Sequence, residues 1–140
     1  EKFKESNIKI YAPLSYGNQT YADQVIQYGK TIFEHKFVPL TEFMPYEKYL
    51  SFLQNIDIAI FNHKRQQAMG NTINLLGMGK VVYLREGTPQ WEFFKSINIQ
   101  VYDLENFNIH MSSRNNNKRI VGEFFSISKL EKQWGNLLNE

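Results

Sequence analysis

The chain has 140 residues, 42% hydrophobic and 21% charged, and its 16 Lys and Arg against 14 Asp and Glu give a net charge of +2. This length supports one domain with a real core, and the composition excludes a disordered chain. So balanced a charge gives no reason to expect a nucleic acid partner. There is no cysteine, which excludes disulfides and cysteine metal sites. No apolar run approaches the roughly 18 residues of a membrane span.

Strand-like and helix-like patterns alternate along the chain. The first half predicts a strand over Asn7–Leu14, a helix over Thr20–Glu34, a strand over Phe37–Leu40, a helix over Tyr46–Leu53 and a buried strand over Ile56–Ile60. The second half predicts a helix over Gly70–Gly79, a strand over Val81–Leu84, a helix over Pro89–Ser96, a strand over Asn98–Asp103 and a last helix over Ile127–Leu138. The helices show apolar residues at three- and four-residue spacing, whereas the strands are short apolar or alternating runs. The polar stretch Ser112–Arg119 is predicted to be exposed and to end in a helix cap.

The connections between the predicted strands are too long for hairpins, so the strands are expected to pair in parallel. This pattern predicts an α/β fold, a doubly wound parallel sheet with helices on both faces. Ligands of such sheets bind at the carboxyl ends of the strands. Three predicted loops meet that edge, namely Ser15–Gly17, Thr41–Met44 and Asn62–Asn71.

The stretch Asn62–Thr72 is an unusually polar connection between two apolar strands. It leads into a predicted helix whose first N–H groups and positive dipole end suit an anion. Arg65 adds a planar guanidinium that can bind a phosphate through two hydrogen bonds. The stretch therefore predicts a phosphate site. A solvated Lys64–Arg65 pair in an ordinary polar loop is the alternative.

Several familiar site patterns are missing from the sequence. Neither G-x-G-x-x-G after the first strand nor G-x-x-x-x-G-K-[ST] occurs, which disfavours the usual NAD(P) site and a P-loop NTPase. His35, His63 and His110 do not have the spacing of a zinc motif. The G-x-S-x-G elbow of an α/β-hydrolase is also absent.

Three stretches resemble one family of glycosyltransferases. They are Pro13-Leu14-Ser15-Tyr16-Gly17, Pro39-Leu40-Thr41-Glu42-Phe43-Met44-Pro45 and Asn62-His63-Lys64-Arg65-Gln66-Gln67-Ala68-Met69-Gly70-Asn71. The order of segments from Lys9 to Asp103 resembles the donor-binding, C-terminal half of a GT-B enzyme. The amino-acid sequences of the three stretches are similar to those of the TDP-N-acetylfucosamine:lipid II N-acetylfucosaminyltransferase (4-alpha-L-fucosyltransferase) family of enterobacterial common antigen synthesis. The resemblance implies a Rossmann-like fold of the GT-B C-terminal type.

The resemblance also implies roles for individual residues. Arg65 would neutralise charge that builds on the departing nucleotide diphosphate. The implied donor- and phosphate-binding residues are Ser15, Tyr16, Gly17, His63, Arg65, Gln66, Gln67, Gly70, Asn71 and Thr72. The residues implied to flank the nucleoside are Phe43, Met44 and Asn74. A catalytic base is expected outside this chain.

Two of these roles have alternatives. Asn74 stands where many GT-B enzymes have a Glu that holds both ribose hydroxyls. Deoxyribose lacks the 2′-hydroxyl, so an amide there suits a dTDP sugar, and a solvated helix residue is the other interpretation. Phe43 is a candidate both for stacking on the base and for the hydrophobic core.

The function implied by the resemblance is binding of a dTDP sugar, dTDP-N-acetylfucosamine, and its transfer to a lipid-linked saccharide acceptor in cell-surface polysaccharide synthesis. We expect residues 1–140 to be a single donor-binding domain of a longer two-domain enzyme, inactive without the half that binds the acceptor. No metal or other cofactor is expected, and the expected location is the cytoplasmic face of the bacterial inner membrane. The alternative is a non-catalytic Rossmann-like module that binds a nucleotide or a partner protein.

Overall fold

A computed structural model describes residues 3–65, 67–109, 116–129 and 131–132. The chain divides into two compact units, Glu1–Tyr49 and Leu50–Glu140. Each unit has its own parallel sheet, and the two are described separately below.

The first unit is a strand–helix–strand crossover. It contains strand β1 (Ile10–Pro13), helix α1 (Gln19–Phe33) and strand β2 (Phe37–Leu40), and helix α2 (Tyr46–Gln54) runs from this unit into the next. The two strands pair in parallel from Ile10 opposite Phe37 to Pro13 opposite Leu40. Because the register is in step, the loops that follow β1 and β2 leave the same edge of this sheet.

Helix α1 lies against β2 through a glycine. Gly29 is buried on the helix, and a Cβ atom added to it would lie 2.6 Å from the Phe37 ring. Carbon atoms pack at about 3.5–4.0 Å, so only a residue without a side chain fits here. The helix and the first residue of β2 therefore approach each other as closely as the backbone allows.

The second unit is a three-stranded parallel sheet in the order β3-β4-β5. Its elements are β3 (Ile58–Phe61), α3 (Met69–Gly77), β4 (Val81–Leu84), α4 (Pro89–Ser96), β5 (Tyr102–Asp103) and α5 (Asn117–Phe124). All four residues of the central strand β4 are buried. The core around it includes Leu75 and Leu76 of α3 and Phe94 of α4.

The prediction of an α/β, Rossmann-like fold with parallel strands flanked by helices is confirmed. The bounds of β2, β4 and α4 are those predicted. The five strands hydrogen-bond as two sheets of two and three strands rather than as one sheet. The fifth strand is also shorter than expected, since Tyr102–Asp103 alone pairs with β4.

The stretch Ser112–Arg119 ends in a helix start, as predicted, but the predicted exposure is wrong for Asn117. Residues 112–115 lie outside the described residues. Helix α5 begins at Asn117, and the Asn117 side chain is 1% exposed. Its amide oxygen accepts from Gln100 N at 2.8 Å, and its Nδ2 donates to Gln100 O at 2.7 Å. The side chain thus pairs with both backbone groups of one residue, as a neighbouring strand would, and this pairing satisfies a buried amide.

Two further expectations differ in detail. Strand β3 is only partly buried, with Ile60 half exposed, because it is the edge strand of its sheet while β4 is central. The predicted last helix lies largely outside the described residues, within which 127–129 and 131–132 are helical. Over the described ranges, no helix is both long enough and apolar enough to cross a bilayer.

The contact between Gly29 and Phe37 predicts that Gly29→Ala destabilises the first unit. The added methyl group would overlap the Phe37 ring, and overpacking of this kind costs about 1–3 kcal/mol of unfolding free energy. Urea denaturation followed by circular dichroism measures the change.

The matched control is the same substitution in a Phe37→Leu background. Leu lacks the ring atoms that the new methyl group would meet, so Gly29→Ala should cost clearly less there than in the wild type. An equal cost in both backgrounds would show that the strain does not arise at Phe37.

Candidate functional site

The loop after β3 and the turn after β4 begin side by side. Phe61, the last residue of β3, is opposite Leu84, the last residue of β4. The next residues in sequence, Asn62 and Arg85, are joined by a hydrogen bond from Arg85 Nη2 to Asn62 Oδ1 at 2.5 Å. The register of the strands therefore places a guanidinium at the carboxyl edge of this sheet, which is where α/β folds bind ligands.

Two polar atoms at this edge are buried and have no hydrogen-bond partner among the described residues. They are Nδ1 of His63 and Nε of Arg85. His63 contacts the ring of Phe61, with ring centroids 5.9 Å apart. Buried polar atoms are nearly always paired, so two exceptions at neighbouring strand ends are characteristic of a site rather than of a core.

Helix α3 begins beside these residues with unusual geometry. Ala68, which precedes the helix, is in the left-handed conformation with φ 53° and ψ 30°, and its side chain cannot cap the helix. The first intrahelical bond runs from Thr72 N to Ala68 O at 3.0 Å. The N–H groups of Met69, Gly70 and Asn71 precede that bond, so they belong to the first turn, whose donors are available to an outside acceptor. No atom lies within 4 Å of the position where a Gly70 side chain would begin.

The start of α3 is tied to the start of α4 by a buried polar pair. Gln90 Nε2 donates to Thr72 Oγ1 at 2.8 Å, and Thr72 Oγ1 donates to Ala68 O at 2.9 Å. Thr72 is fully buried, and its hydroxyl and N–H donors are both used within the protein. This corrects the expectation that Thr72 offers donors to a ligand. Its part is to hold the beginning of α3 in place.

Helix α4 is fixed to the same edge through its cap. Thr88 Oγ1 accepts from Trp91 N at 3.3 Å and donates to Arg85 O at 2.9 Å. Pro89 follows as the first helical residue, where a missing N–H is harmless. The backbone of Arg85 is therefore held by the α4 cap and its side chain by Asn62.

The other predicted site residues of the second unit differ in their exposure to solvent. Arg65, Gln67 and Gly70 are exposed, whereas His63, Asn71 and Asn74 are half-buried. Gln66 lies outside the described residues. The structure thus leaves Arg65 and Gln67 accessible from solvent.

In the first unit, the structure brings together two of the three predicted loops. The ring of Tyr16, after β1, meets the ring of Phe43, after β2, edge to face with centroids 6.3 Å apart. Tyr16 is 80% exposed and Phe43 is 72% exposed, so the core interpretation of Phe43 is wrong. Gly17 turns the chain with φ 101°, which few other residues adopt. Ser15 is exposed and Met44 is half-buried.

Sequence reasoning missed Arg85 and Gln90. An arginine directly after the predicted strand Val81–Leu84 was a usable signal for Arg85. Gln90 lies on a predicted helix, and nothing local marks it as the partner of Thr72. In the part of the chain that the structure describes, no three His, Asp or Glu side chains are grouped so that they could hold a metal ion.

Comparison with known proteins adds a family to this geometry. The model of the family described as 4-alpha-L-fucosyltransferase glycosyl transferase group 56 matches residues 1–139. No solved structure matches the chain. The match runs through both units and through every predicted site residue, and it agrees with the resemblance found in the three loop sequences. The chain therefore belongs to the 4-alpha-L-fucosyltransferase family, glycosyl transferase group 56.

Proposed function

We propose that the protein binds a dTDP sugar, dTDP-N-acetylfucosamine, and serves its transfer to a lipid-linked saccharide acceptor. The observation that carries the proposal is the open, uncapped start of α3 at the carboxyl end of β3. Family membership supports sugar transfer as the chemistry. The identity of the sugar and of the acceptor rests on the loop sequences.

The start of α3 supplies what a diphosphate needs. The N–H groups of Met69, Gly70 and Asn71 are at the positive end of the helix dipole, where an anion is stabilised. The open space over Gly70 lets a phosphate oxygen approach the backbone closely. The diphosphate would therefore bind against the first turn of the helix.

The leaving group of sugar transfer is the nucleotide diphosphate, on which negative charge increases as the glycosidic bond breaks. Arg65 is exposed in the loop that leads to α3, and a guanidinium there stabilises this charge in the transition state. With an arginine and a helix start as counter-charges, this scheme needs no metal ion. His63, Gln66 and Gln67 are proposed to bind the sugar or phosphate oxygens.

The exposed aromatic residues of the first unit suit a nucleobase. Phe43 presents most of its ring to solvent beside Tyr16, and a pyrimidine can stack on such a face. From the family resemblance we propose Phe43 and Met44 as base-binding residues and Ser15, Tyr16 and Gly17 as donor- and phosphate-binding residues. In the second unit, Asn74 is proposed at the deoxyribose.

The acceptor and the catalytic base are proposed to belong to a second half of the enzyme, and this chain to a donor-binding domain. Transfer to a lipid-linked saccharide would occur at the cytoplasmic face of the bacterial inner membrane. A non-catalytic module would share the fold but not the selectivity for a thymidine nucleotide. Selectivity of nucleotide binding is therefore the property that separates the two proposals.

Arg65→Ala should weaken dTDP binding by about 1.5–3 kcal/mol, the range for a hydrogen bond to a charged group. Isothermal titration calorimetry with dTDP, UDP, GDP and NAD measures both the loss and the selectivity of the wild type. Arg119→Ala, which removes an exposed arginine of α5, is the matched control and should leave the affinity for dTDP unchanged. A folded wild type that binds no nucleotide diphosphate would count against the transferase proposal.

Gly70→Ala should weaken dTDP binding about tenfold, or about 1.4 kcal/mol, because the methyl group would enter the space proposed for the diphosphate. Stability should not fall, since Ala is favoured over Gly in a helix by about 0.5–1 kcal/mol. Gly122→Ala on α5, also in open space, is the control for the helix effect. Unchanged dTDP affinity in Gly70→Ala would place the diphosphate elsewhere.

Phe43→Ala should weaken dTDP binding by about 1–3 kcal/mol, the range for one base stacked on an aromatic ring. Binding of inorganic pyrophosphate should stay the same, because pyrophosphate has no base. Tyr28→Ala removes an exposed aromatic ring from α1 in the same unit and is the control. Equal losses for dTDP and pyrophosphate would contradict a base-stacking role.

A further inference from the structure

Arg85 is a cation for which the described residues supply no counter-ion. It is half-buried at the end of β4, and among the residues that the structure describes it forms no ion pair. Its recorded side-chain partner is the neutral amide oxygen of Asn62. Because moving a charge partly out of water is unfavourable unless the charge is paired, a lone cation in this position suggests an anionic ligand.

The acidic residue at the same edge does not neutralise it. The register places Asp103, at the end of β5, opposite Leu84, next in sequence to Arg85. The Asp103 carboxylate accepts instead from Glu105 N at 3.2 Å and from Asn106 Nδ2 at 2.8 Å. It is thus engaged in capping the short turn that follows β5.

The guanidinium is held in one orientation while part of it remains accessible. Its Nε is buried and unpartnered within the described chain, whereas the bond from Nη2 to Asn62 is at the exposed surface. Arginine has five N–H donors in a planar fork, and this single bond leaves donors for another acceptor. The outer nitrogens of the guanidinium, Nη1 and Nη2, are the donors that could bind a phosphate.

We propose that Arg85 binds an oxygen of the donor's diphosphate and that Asn62 positions it by fixing the guanidinium. This inference rests on the proposed function, which it deepens by adding a second arginine to the same anion. Arg65 projects from a loop, whereas the backbone of Arg85 is held by Thr88 and its side chain by Asn62. A pre-oriented donor loses less side-chain freedom on binding, so Arg85 is the main phosphate ligand of the two.

The test compares Arg85→Gln, Arg85→Lys, Asn62→Ala and the double variant Arg85→Gln/Asn62→Ala by calorimetry with pyrophosphate, dTDP and thymidine. Arg85→Gln should weaken pyrophosphate and dTDP roughly 10- to 100-fold, in line with the loss of a charge-assisted hydrogen bond. Arg85→Lys should recover only part of this, because an ammonium cannot form the planar fork. Thymidine, which carries no phosphate, should bind all variants equally.

The positioning role of Asn62 has its own readout. Asn62→Ala should weaken pyrophosphate several-fold in the wild type but not in the Arg85→Gln background, since the guanidinium that it positions is then gone. Equal effects in both backgrounds would overturn that role. Circular dichroism checks the fold of each variant, and Arg85→Lys provides the comparison if Arg85→Gln unfolds. Arg119→Gln is the control for loss of an arginine.

The outcomes separate this inference from the proposed function. Suppose that the wild type binds dTDP selectively and that Arg85→Gln and Arg85→Lys both bind it as tightly as the wild type. The dTDP function then stands and the role of Arg85 is overturned. If pyrophosphate binding depends on Arg85 but dTDP shows no advantage over UDP or GDP, the anion site stands and the dTDP assignment fails. A folded wild type that binds neither pyrophosphate nor dTDP overturns both.

Discussion

The parallel register between β3 and β4 is the constraint on which the candidate site depends. Because Phe61 is opposite Leu84, the two strands end together. Asn62 and Arg85, the next residues, are therefore close enough to form a hydrogen bond. A slip of one residue would shift the partners by about 3.3 Å and turn alternate side chains to the other face. Burial of the whole of β4 makes such a slip costly, because it would disturb apolar contacts along the entire strand. The core thereby sets the position of a polar pair at its edge.

Hydrogen bonds within the protein hold the helix starts at this edge without using the donors of the first turn of α3. Gln90 and Thr72 join α4 to α3, and Thr88 joins the α4 cap to the backbone of Arg85. These polar groups are buried, and pairing them avoids a desolvation cost of about 1–3 kcal/mol for each unsatisfied group. The donors before Thr72 are not needed for that network. A rigid frame with open donors is the combination that favours anion binding, because little has to be ordered when the ligand arrives.

Local signals were sufficient for the elements that carry their own markers. β4 is an unbroken apolar run, and α4 begins with Thr88 as its cap and Pro89 as its first residue. The start of helix α5 was indicated by a possible cap at the end of a polar stretch, but the burial of Asn117 was not. The reason for the buried Asn117 is a pairing with Gln100, 17 residues away. Such a partner is chosen by the fold and has no trace in the local pattern.

The same division applies to the site. The prediction of an anion site in the stretch before α3 follows from a polar loop and a helix start, both visible in sequence. The resemblance implied that Thr72 binds the ligand, yet its partner in the structure is Gln90, 18 residues further on. Arg85 was missed because its partner Asn62 follows another strand, 23 residues earlier. Residue types therefore predict an anion site, which stays a prediction, while the partners of individual side chains required the strand register.

The two arginines near this edge would contribute to anion binding in different ways. Arg65 is exposed, so its attraction for a phosphate is reduced by salt over a Debye length of about 8–10 Å, and binding must order a flexible side chain. Arg85 is half-buried, unneutralised within the described chain and already oriented by Asn62. Its interaction with an anion is screened less, because water and ions have less access to a partly buried pair. If both arginines bind the anion as proposed, raising the salt concentration would remove more of the contribution of Arg65 than of Arg85. The affinity that remained at high salt would then depend mainly on Arg85, which the strand register holds in place.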